Sequence, residues 1–167
     1  GNVFECQNTI PYTHTFNNDL NKCWNIVNAN NDEKTFAFNT SQGYAYYNFN
    51  QHNGADDWLI SPPFELNGYQ RCTFEYRNLS SYSEKFQVFA LGADTIPLTP
   101  IITVTNNYYL TQECYLAGIS GPYSIGIHCV SDANKYQFMV KNFAIQNFDP
   151  SISFNKDTLD YGECTTN

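Results

Sequence analysis

The sequence predicts an all-β protein, a sandwich or barrel of many short strands. Its composition is 42% hydrophobic and 17% aromatic but only 14% charged. The polar surface is therefore supplied by Asn, Gln, Ser and Thr, which favour turns and strand edges over long helices. Apolar and polar residues alternate with a period of two in one segment after another, and turn residues separate these segments. No amphipathic stretch is long enough to predict a helix.

The alternating segments predict the strands in chain order. In residues 71–77, Cys72, Phe74 and Tyr76 face one side and Thr73 and Glu75 the other. The further alternating segments are residues 85–90, 101–105, 108–114, 123–129 and 138–145, and the turns are residues 67–68, 92–94, 106–107, 118–122 and 131–135. Short strands at this spacing are typical of sandwiches and barrels.

Residues 54–66, Gly-Ala-Asp-Asp-Trp-Leu-Ile-Ser-Pro-Pro-Phe-Glu-Leu, are the most informative segment. Residues 56–60 predict a short strand that Pro62 and Pro63 stop. Because Pro63 restricts Pro62 to extended conformations, the chain should leave this strand as a straight edge segment.

Length and charge limit the classes of function. A chain of 167 residues suits one compact domain with a short appendage. The net charge of −8 and the scattered basic residues argue against binding nucleic acid or an anionic membrane surface, which requires clustered Lys and Arg. No apolar run approaches the roughly 18 residues of a membrane span, so no membrane insertion is expected in this segment.

The six cysteines favour an oxidising compartment. None of them forms a Cys-x-x-Cys pair, so a zinc site is not expected. Cys72 shares strand parity with Phe74, and Cys129 with Ile127, so both should point into the core. They could lie there either as free thiols or in a disulfide, and the spacing does not choose among the connectivities.

Several segments, in this order, resemble one known family. They are Ile-Pro-Tyr-Thr-His-Thr-Phe at residues 10–16, Cys-Trp-Asn-Ile-Val-Asn-Ala at 23–29, Ser-Gln-Gly-Tyr-Ala-Tyr-Tyr at 41–47, the segment 54–66, Cys-Thr-Phe-Glu-Tyr at 72–76 and Phe-Met-Val-Lys-Asn-Phe-Ala-Ile at 138–145. Together they resemble the cleaved-adhesin domains of gingipain-type bacterial surface proteins and, more distantly, MAM domains. The resemblance implies an antiparallel two-sheet jelly-roll sandwich, MAM-like and galactose-binding-like, that is extracellular and binds rather than catalyses.

The resemblance also suggests a domain organisation. Residues 1–8 would be an N-terminal segment, 9–148 the jelly-roll domain, and 149–167 a linker with the truncated first strand of an immunoglobulin-like module. By analogy with MAM domains, Cys6 and Cys23 would form a disulfide, and Cys164 would lack a partner. The isolated domain is expected to be a monomer.

Calcium is the one cofactor that the resemblance makes a candidate. The family binds it with acids at positions where this chain has Asn17 and Lys141, so this metal site is expected to be empty. By strand parity with Phe143 and Ile145, Lys141 should be partly buried. Its ammonium then either takes the place of the metal or extends to solvent at the sandwich edge. A weaker alternative site for calcium consists of Asn28, Asn30, Asp32 and Glu33.

A group of aromatic residues is the candidate binding site: Tyr44, Tyr46, Tyr47, Phe49 and Trp58. Flat aromatic faces beside amides suit both glycans and protein loops. By parity, Tyr44 and Tyr46 lie on one face and Tyr47 and Phe49 on the other. One of these two sets must be core, and the pattern does not identify which.

The sequence gives little support for a catalytic function. His14, His52 and His128 lie far apart in the sequence, and no catalytic motif is present. His52 could form a triad with Asp56 or Asp57 and Ser61, but a solvated turn histidine is the stronger interpretation, and we expect no enzyme. The sequence therefore predicts an adhesion or binding module of a larger secreted or cell-surface bacterial protein. Its ligand would be a glycan or protein on a host or neighbouring cell, and the alternative is a structural spacer without a ligand.

Overall fold

The computed structural model describes residues 5–79 and 81–149, which form two antiparallel β-sheets packed face to face. In chain order the elements are β1 (Tyr12–His14), a 3₁₀ helix (Asp19–Cys23), β2 (Asn25–Asn28), β3 (Phe36–Asn39), β4 (Tyr44–Asn48), β5 (Asp57–Ile60), β6 (Phe64–Asn67), β7 (Gln70–Asn78), β8 (Glu84–Leu91), β9 (Thr95–Pro97), β10 (Ile102–Val104), β11 (Leu110–Tyr115), β12 (Ser120–Cys129) and β13 (Gln137–Asn147). The predicted all-β jelly-roll sandwich is thus confirmed.

One sheet has six strands and the other has seven. The six-stranded sheet has the order β11-β7-β13-β4-β3, with β1 also paired to β13. The seven-stranded sheet has the order β10-β8-β12-β5-β2, with β6 also paired to β12 and β9 to β8. The strand pairs are antiparallel. Because successive side chains in a strand point to opposite faces, the residues of one parity line the inside of each sheet.

Aromatic rings from the two sheets fill the core. Phe74 of β7 and Phe138 of β13 both pack on Phe86 of β8, with ring centroids 5.9 and 5.0 Å away. Near the N-terminus, Trp24 packs edge-on against Phe16 and Phe143. These contacts between sheets bury the apolar parity of each strand, as the alternation predicts. Cys72 and Cys129 are both buried, as expected.

The Ile-Ser-Pro-Pro segment joins the end of β5 to β6. The Ser61 hydroxyl donates to the carbonyl of Pro62 and accepts from the backbone N–H of Ile125, at 2.8 Å each. This buried serine therefore fastens the end of β5 to β12. After the two prolines, the chain continues in extended form as β6, which pairs with the first residues of β12.

One expectation about local structure was wrong, and one short strand was not predicted. Residues 118–122 were expected to be a turn, but β12 begins at Ser120 and Pro122 is paired with Glu65. Proline is tolerated here because β12 pairs with β8 only from Ser124 onward, so Pro122 has a strand partner on one side only. Strand β9 was not anticipated, since three residues are too few to show alternation.

Cys6 and Cys23 form a disulfide, the pair that the resemblance implied. It ties the segment before β1 to the end of the 3₁₀ helix. The expected immunoglobulin-like strand and Cys164 lie outside the described residues. Within the described residues, no helix has the length and apolar composition needed to cross a membrane.

Candidate binding surfaces

The five aromatic residues proposed from the sequence do not form one site. Tyr44 and Tyr46 lie on the outer face of the six-stranded sheet, whereas Tyr47 points inward and is only 1% exposed. Phe49 lies in the loop after β4, at one end of the sandwich. Trp58 is on the outer face of the opposite sheet.

Tyr47 is a core residue, so its assignment to a binding site was wrong. It packs against Phe36 on the neighbouring strand β3, with ring centroids 6.1 Å apart. Burial raises the pKa of its phenol well above the usual value. The period of two predicted that Tyr47 and Tyr44 lie on opposite sides of the strand. In the folded protein, the side that carries Tyr47 faces the core.

The outer face of the six-stranded sheet carries a set of residues that we call the tyrosine face: Tyr44, Tyr46, Arg77, Tyr109 and Lys141. The rings of Tyr44 and Tyr46 pack edge to face 5.8 Å apart. Tyr109, from the loop before β11, receives the ammonium of Lys141 at 4.1 Å and the guanidinium of Arg77 at 5.5 Å from its ring centroid. These distances correspond to cation–π contacts.

Lys141 is partly buried, as expected, but it lies on the outer face of the sheet and not on the inner face that strand parity with Phe143 predicts. The register of β13 against β7 shifts between Lys141 and Ala144, and Asn142 has a positive φ of 52°. This β-bulge inserts one residue into the alternation. Phe143 therefore returns to the core, while Lys141 extends over Tyr109. The bulge is supported by a hydrogen bond from the Asn142 amide to Glu75, at 2.6 Å.

Asn17, the other residue at an expected calcium position, accepts a hydrogen bond from the Thr15 hydroxyl at 2.7 Å. Asp32, in the alternative site, is already bonded to its own loop and to the loop after β4. Its carboxylate accepts from the backbone of Lys34 and from the amides of Asn30 and Asn50, and the Asn28 amide donates to the Asp32 carbonyl. Glu33 contributes no contact to this network, and among the described residues no group of three or more His, Cys, Asp or Glu side chains forms a metal site.

Trp58 stacks on His128 of the neighbouring strand. The ring centroids are 4.0 Å apart and the planes differ by 8°. His128 Nε2 is 2.7 Å from Asp56 Oδ1. Gly126, two pairs along the ladder, leaves room for the indole, since a Cβ there would lie 3.0 Å from Trp58 Cε3. One side of the indole is thus already occupied by a protein ring.

A pocket of about 290 Å³ opens at the end of the sandwich where β4, β7 and β12 finish. We call it the loop pocket; its lining residues are Phe49, Tyr82, Asn134, Lys135 and Tyr136. Phe49 and Tyr136 meet edge to face with centroids 6.1 Å apart. Tyr82 is 53% exposed and Tyr136 38%. Sequence reasoning identified only Phe49, because the other residues come from loops far along the chain.

Backbone hydrogen bonds fix the loops of this pocket to one another. The N–H of Phe49 donates to the carbonyl of Tyr136, and that of Asn134 to Asn50, at 2.9 and 2.8 Å. The buried Asn78 amide holds the carbonyl of Tyr82 at 2.6 Å. Glu84 Oε2 accepts the N–H of Tyr136 at 2.8 Å. The backbone segments that carry the aromatic walls are therefore held in place before any ligand arrives.

Behind this end of the sandwich lie two buried carboxyl groups, of which the sequence indicated only Asp57, as a possible triad partner of His52. Asp57 and Glu84 are both fully buried. Burial raises the pKa of Asp57 to about 6, although the N–H of Asp56 donates to its carboxylate. Burial also raises the pKa of Glu84, and this effect is partly offset by the Ser131 side chain, by the hydrogen bond from the Tyr136 N–H and by the charge of Lys135.

The three histidines occupy separate environments. His14 is in the core, bonded to Asn21 and stacked on Trp24, and burial lowers its pKa. His128 is the one that bonds Asp56. The Asn50 side chain accepts the backbone N–H of His52 in a turn. Ser61 is buried, and its hydroxyl bonds to the backbone of Pro62 and of Ile125. The triad considered from the sequence is therefore not supported by any contact.

Comparison with solved structures places the fold among adhesin and carbohydrate-binding domains. The K1 cleaved adhesin domain of Lys-gingipain from Porphyromonas gingivalis W83 matches 84% of this chain and 100% of its own, with a TM-score of 0.69 and 17% identity. The K3 domain of the same protein matches 75% and 92%, with a TM-score of 0.61 and 14% identity.

The CBM22-1 xylan-binding domain of Xyn10C from Paenibacillus barcinonensis matches 86% of this chain and 97% of its own, with a TM-score of 0.54 and 10% identity. The expected resemblance to cleaved-adhesin domains is thus confirmed in the fold. No protein-family model matches the chain, and neither does any of the curated proteins searched.

Proposed function

We propose that this chain is a non-catalytic binding module that recognises a glycan in the loop pocket. The observation that carries the proposal is the convergence of three aromatic rings, an amide and an ammonium on one pre-formed concavity. Ligand sites of this kind are mostly apolar, with a few polar groups that fix orientation.

Each part of the pocket has a role in sugar recognition. The rings of Phe49, Tyr82 and Tyr136 offer apolar faces against which the C–H faces of a pyranose can pack. Asn134 donates and accepts hydrogen bonds to ring hydroxyls, and Lys135 donates to hydroxyl or carboxylate oxygens. The hydrogen bonds between the loops reduce the entropy lost when a ligand is bound.

The setting of this function is a secreted or cell-surface bacterial protein, in which the module attaches to glycans of a neighbouring or host cell. The Cys6–Cys23 disulfide supports an oxidising, extracytoplasmic compartment. The similarity in fold to a cleaved adhesin domain and to a xylan-binding domain supports a role in binding.

The experiment is a glycan-array screen of the full chain, followed by titration calorimetry with the glycan that it retains. Tyr82→Ala and Tyr136→Ala should each weaken binding at least about tenfold, since each removes one wall of the pocket. Tyr69→Ala is the matched control, because Tyr69 is also 53% exposed but precedes β7 at the opposite end of the sandwich.

Three outcomes would contradict this assignment. If no glycan is retained by the array, the structural spacer becomes the better interpretation. If Tyr46→Ala abolishes binding while Tyr82→Ala does not, the ligand binds on the tyrosine face. If Tyr69→Ala weakens binding as much as Tyr82→Ala, the loop pocket is not the binding site.

A further inference from the structure

Two buried cysteines face each other across neighbouring strands. Cys72 of β7 and Cys114 of β11 are direct partners in the antiparallel register. Directly opposite residues in such a pair have Cα atoms about 4.5–5.5 Å apart, which lies within the range that a disulfide spans. Both side chains point into the core, with 0% and 3% exposure. Joining them therefore requires no change in strand register.

The two thiols already interact. The neighbouring Cys72 side chain lowers the pKa of Cys114, and the Gln112 amide lies 3.8 Å from its Sγ. The thiolate is the nucleophilic form of cysteine, so Cys114 is the better attacking group of the pair. It also lies on β11, which ends the six-stranded sheet, whereas β7 has neighbours on both sides. Opening of the edge strand exposes Cys114 first.

We propose that Cys72 and Cys114 are a second disulfide site, which fastens the edge strand β11 to β7 when the chain folds in an oxidising compartment. Both residues are free cysteines in this structure. The oxidant is a disulfide, either of a small thiol such as glutathione or of an oxidoreductase. The compartment that oxidises Cys6 and Cys23 supplies it as well.

The reaction is two thiol–disulfide exchanges. The Cys114 thiolate attacks the oxidant disulfide and forms a mixed disulfide, and the released thiolate takes up the proton that Cys114 lost. Cys72 then loses its proton and attacks Sγ of Cys114. The second oxidant thiolate leaves and is protonated in turn. The two protein thiols are oxidised to one disulfide, and the oxidant disulfide is reduced to two thiols.

Cys129 provides an internal comparison. It is as buried as Cys72, but its partners across the neighbouring strands are Asp57 and Phe86. Burial raises the pKa of Cys129 to about 12. It has neither a cysteine directly opposite nor an accessible thiolate, so it should stay reduced under conditions that oxidise the Cys72–Cys114 pair.

The test is to refold the full chain in a buffer of oxidised and reduced glutathione, alkylate the remaining thiols under denaturing conditions, and map the peptides without reduction. We expect one linked pair of peptides that contains Cys72 and Cys114, with Cys129 alkylated. Alkylation of both Cys72 and Cys114 at a redox poise where Cys6–Cys23 is intact would overturn the proposal. A link from either residue to any other cysteine would overturn it as well.

Thermal unfolding gives a second readout. The cross-link closes a loop of about 40 residues, so at a redox poise where Cys6–Cys23 is already intact, oxidation of this pair should raise the Tm by roughly 5–15 °C. The Cys129→Ala variant should show the same rise, and a chain with Cys72→Ala and Cys114→Ala should show none. An equal rise in the double variant would assign the effect to another bond. The peptide map needs no variant, so it decides the question even if the double variant does not fold.

Discussion

The indole of Trp58 lies flat against the imidazole of His128, with ring planes 8° apart. The two residues are directly opposite each other on β5 and β12, and His128 is also bonded to Asp56. A tryptophan that the sequence offered as a ligand contact is therefore part of a packed layer on the outer face of the seven-stranded sheet.

Replacement of Trp58 by alanine should lower the free energy of unfolding by about 2–4 kcal/mol, since the buried part of the indole loses its packing. Urea unfolding of Trp58→Ala, of His128→Ala and of the double variant measures the stack itself. We expect a coupling of about 0.5–1.5 kcal/mol between the two residues. Trp58→Ala should leave the affinity for the array-selected glycan unchanged. Loss of that affinity in a variant that still folds would show that Trp58 belongs to the glycan-binding site.

Tyr47 and Tyr44 form a matched pair of tyrosines on one strand with opposite orientations. Tyr47→Ala should cost about 3–5 kcal/mol, because it empties a buried site next to Phe36. Tyr44→Ala should cost less than about 1 kcal/mol, since its ring lies on the outer face. Denaturant titration of the two variants gives both values. Similar costs for the two would contradict the inward orientation of Tyr47.

Asp57 should make the stability of the protein depend on pH. Its pKa is about 6 in the folded chain, above the ordinary 3.8. The unfolded chain therefore ionises this group first, so its contribution to stability is full below about pH 4 and is lost as the pH rises to about 6. A difference of about two pKa units corresponds to about 3 kcal/mol.

Asp57→Asn removes this titration while its amide oxygen can still accept the N–H of Asp56. Unfolding free energies of this variant and the parent chain should be compared at pH 4, 6 and 8. The variant should gain up to about 3 kcal/mol relative to the parent at pH 8 and almost nothing at pH 4. A gain that does not change with pH would show that ionisation of Asp57 is not its cause.

The contact between Lys141 and Tyr109 should be measurable as a coupling energy. The ammonium lies 4.1 Å from the ring centroid at a partly exposed position, where a cation–π contact contributes about 0.5–1 kcal/mol. A double-mutant cycle with Lys141→Met and Tyr109→Leu isolates this value from the packing of either side chain. A coupling energy of zero would mean that the Tyr109 ring does not stabilise the Lys141 ammonium. The outward direction of Lys141 at the bulge would then need another explanation.

Removal of calcium should leave the protein unchanged. Asn17 and Lys141 stand where the resemblance expects carboxylates, and the Lys141 ammonium contacts Tyr109 instead. A ligand that binds only the folded state raises its Tm, so the Tm should shift by less than about 1 °C when excess chelator is added. A fall of several degrees would contradict this prediction. The Asn28–Glu33 loop and the buried Asp57 would then be the first positions to mutate.

The sequence by itself determined the class of fold and much of its order. Alternation predicted the strands around Phe74, Val88 and Ile125, and the two prolines correctly ended β5. A period of two fixes which residues share a face, because successive side chains in a strand must point to opposite sides. It assigned Tyr44 and Tyr46 to one side of β4 and Tyr47 to the other without reference to the rest of the chain.

Only the tertiary structure decided which side is buried, because that depends on the sheet that packs against the strand. It also placed one bulge at Lys141 and Asn142, which a local pattern cannot reveal since the extra residue is defined by its partner on β7. Likewise, the loop pocket collects Phe49, Tyr82 and Tyr136 from three loops. Cys72 meets Cys114 only because β11 pairs with β7. Contacts between distant segments arise from the packing of the two sheets, and no period along the chain encodes them.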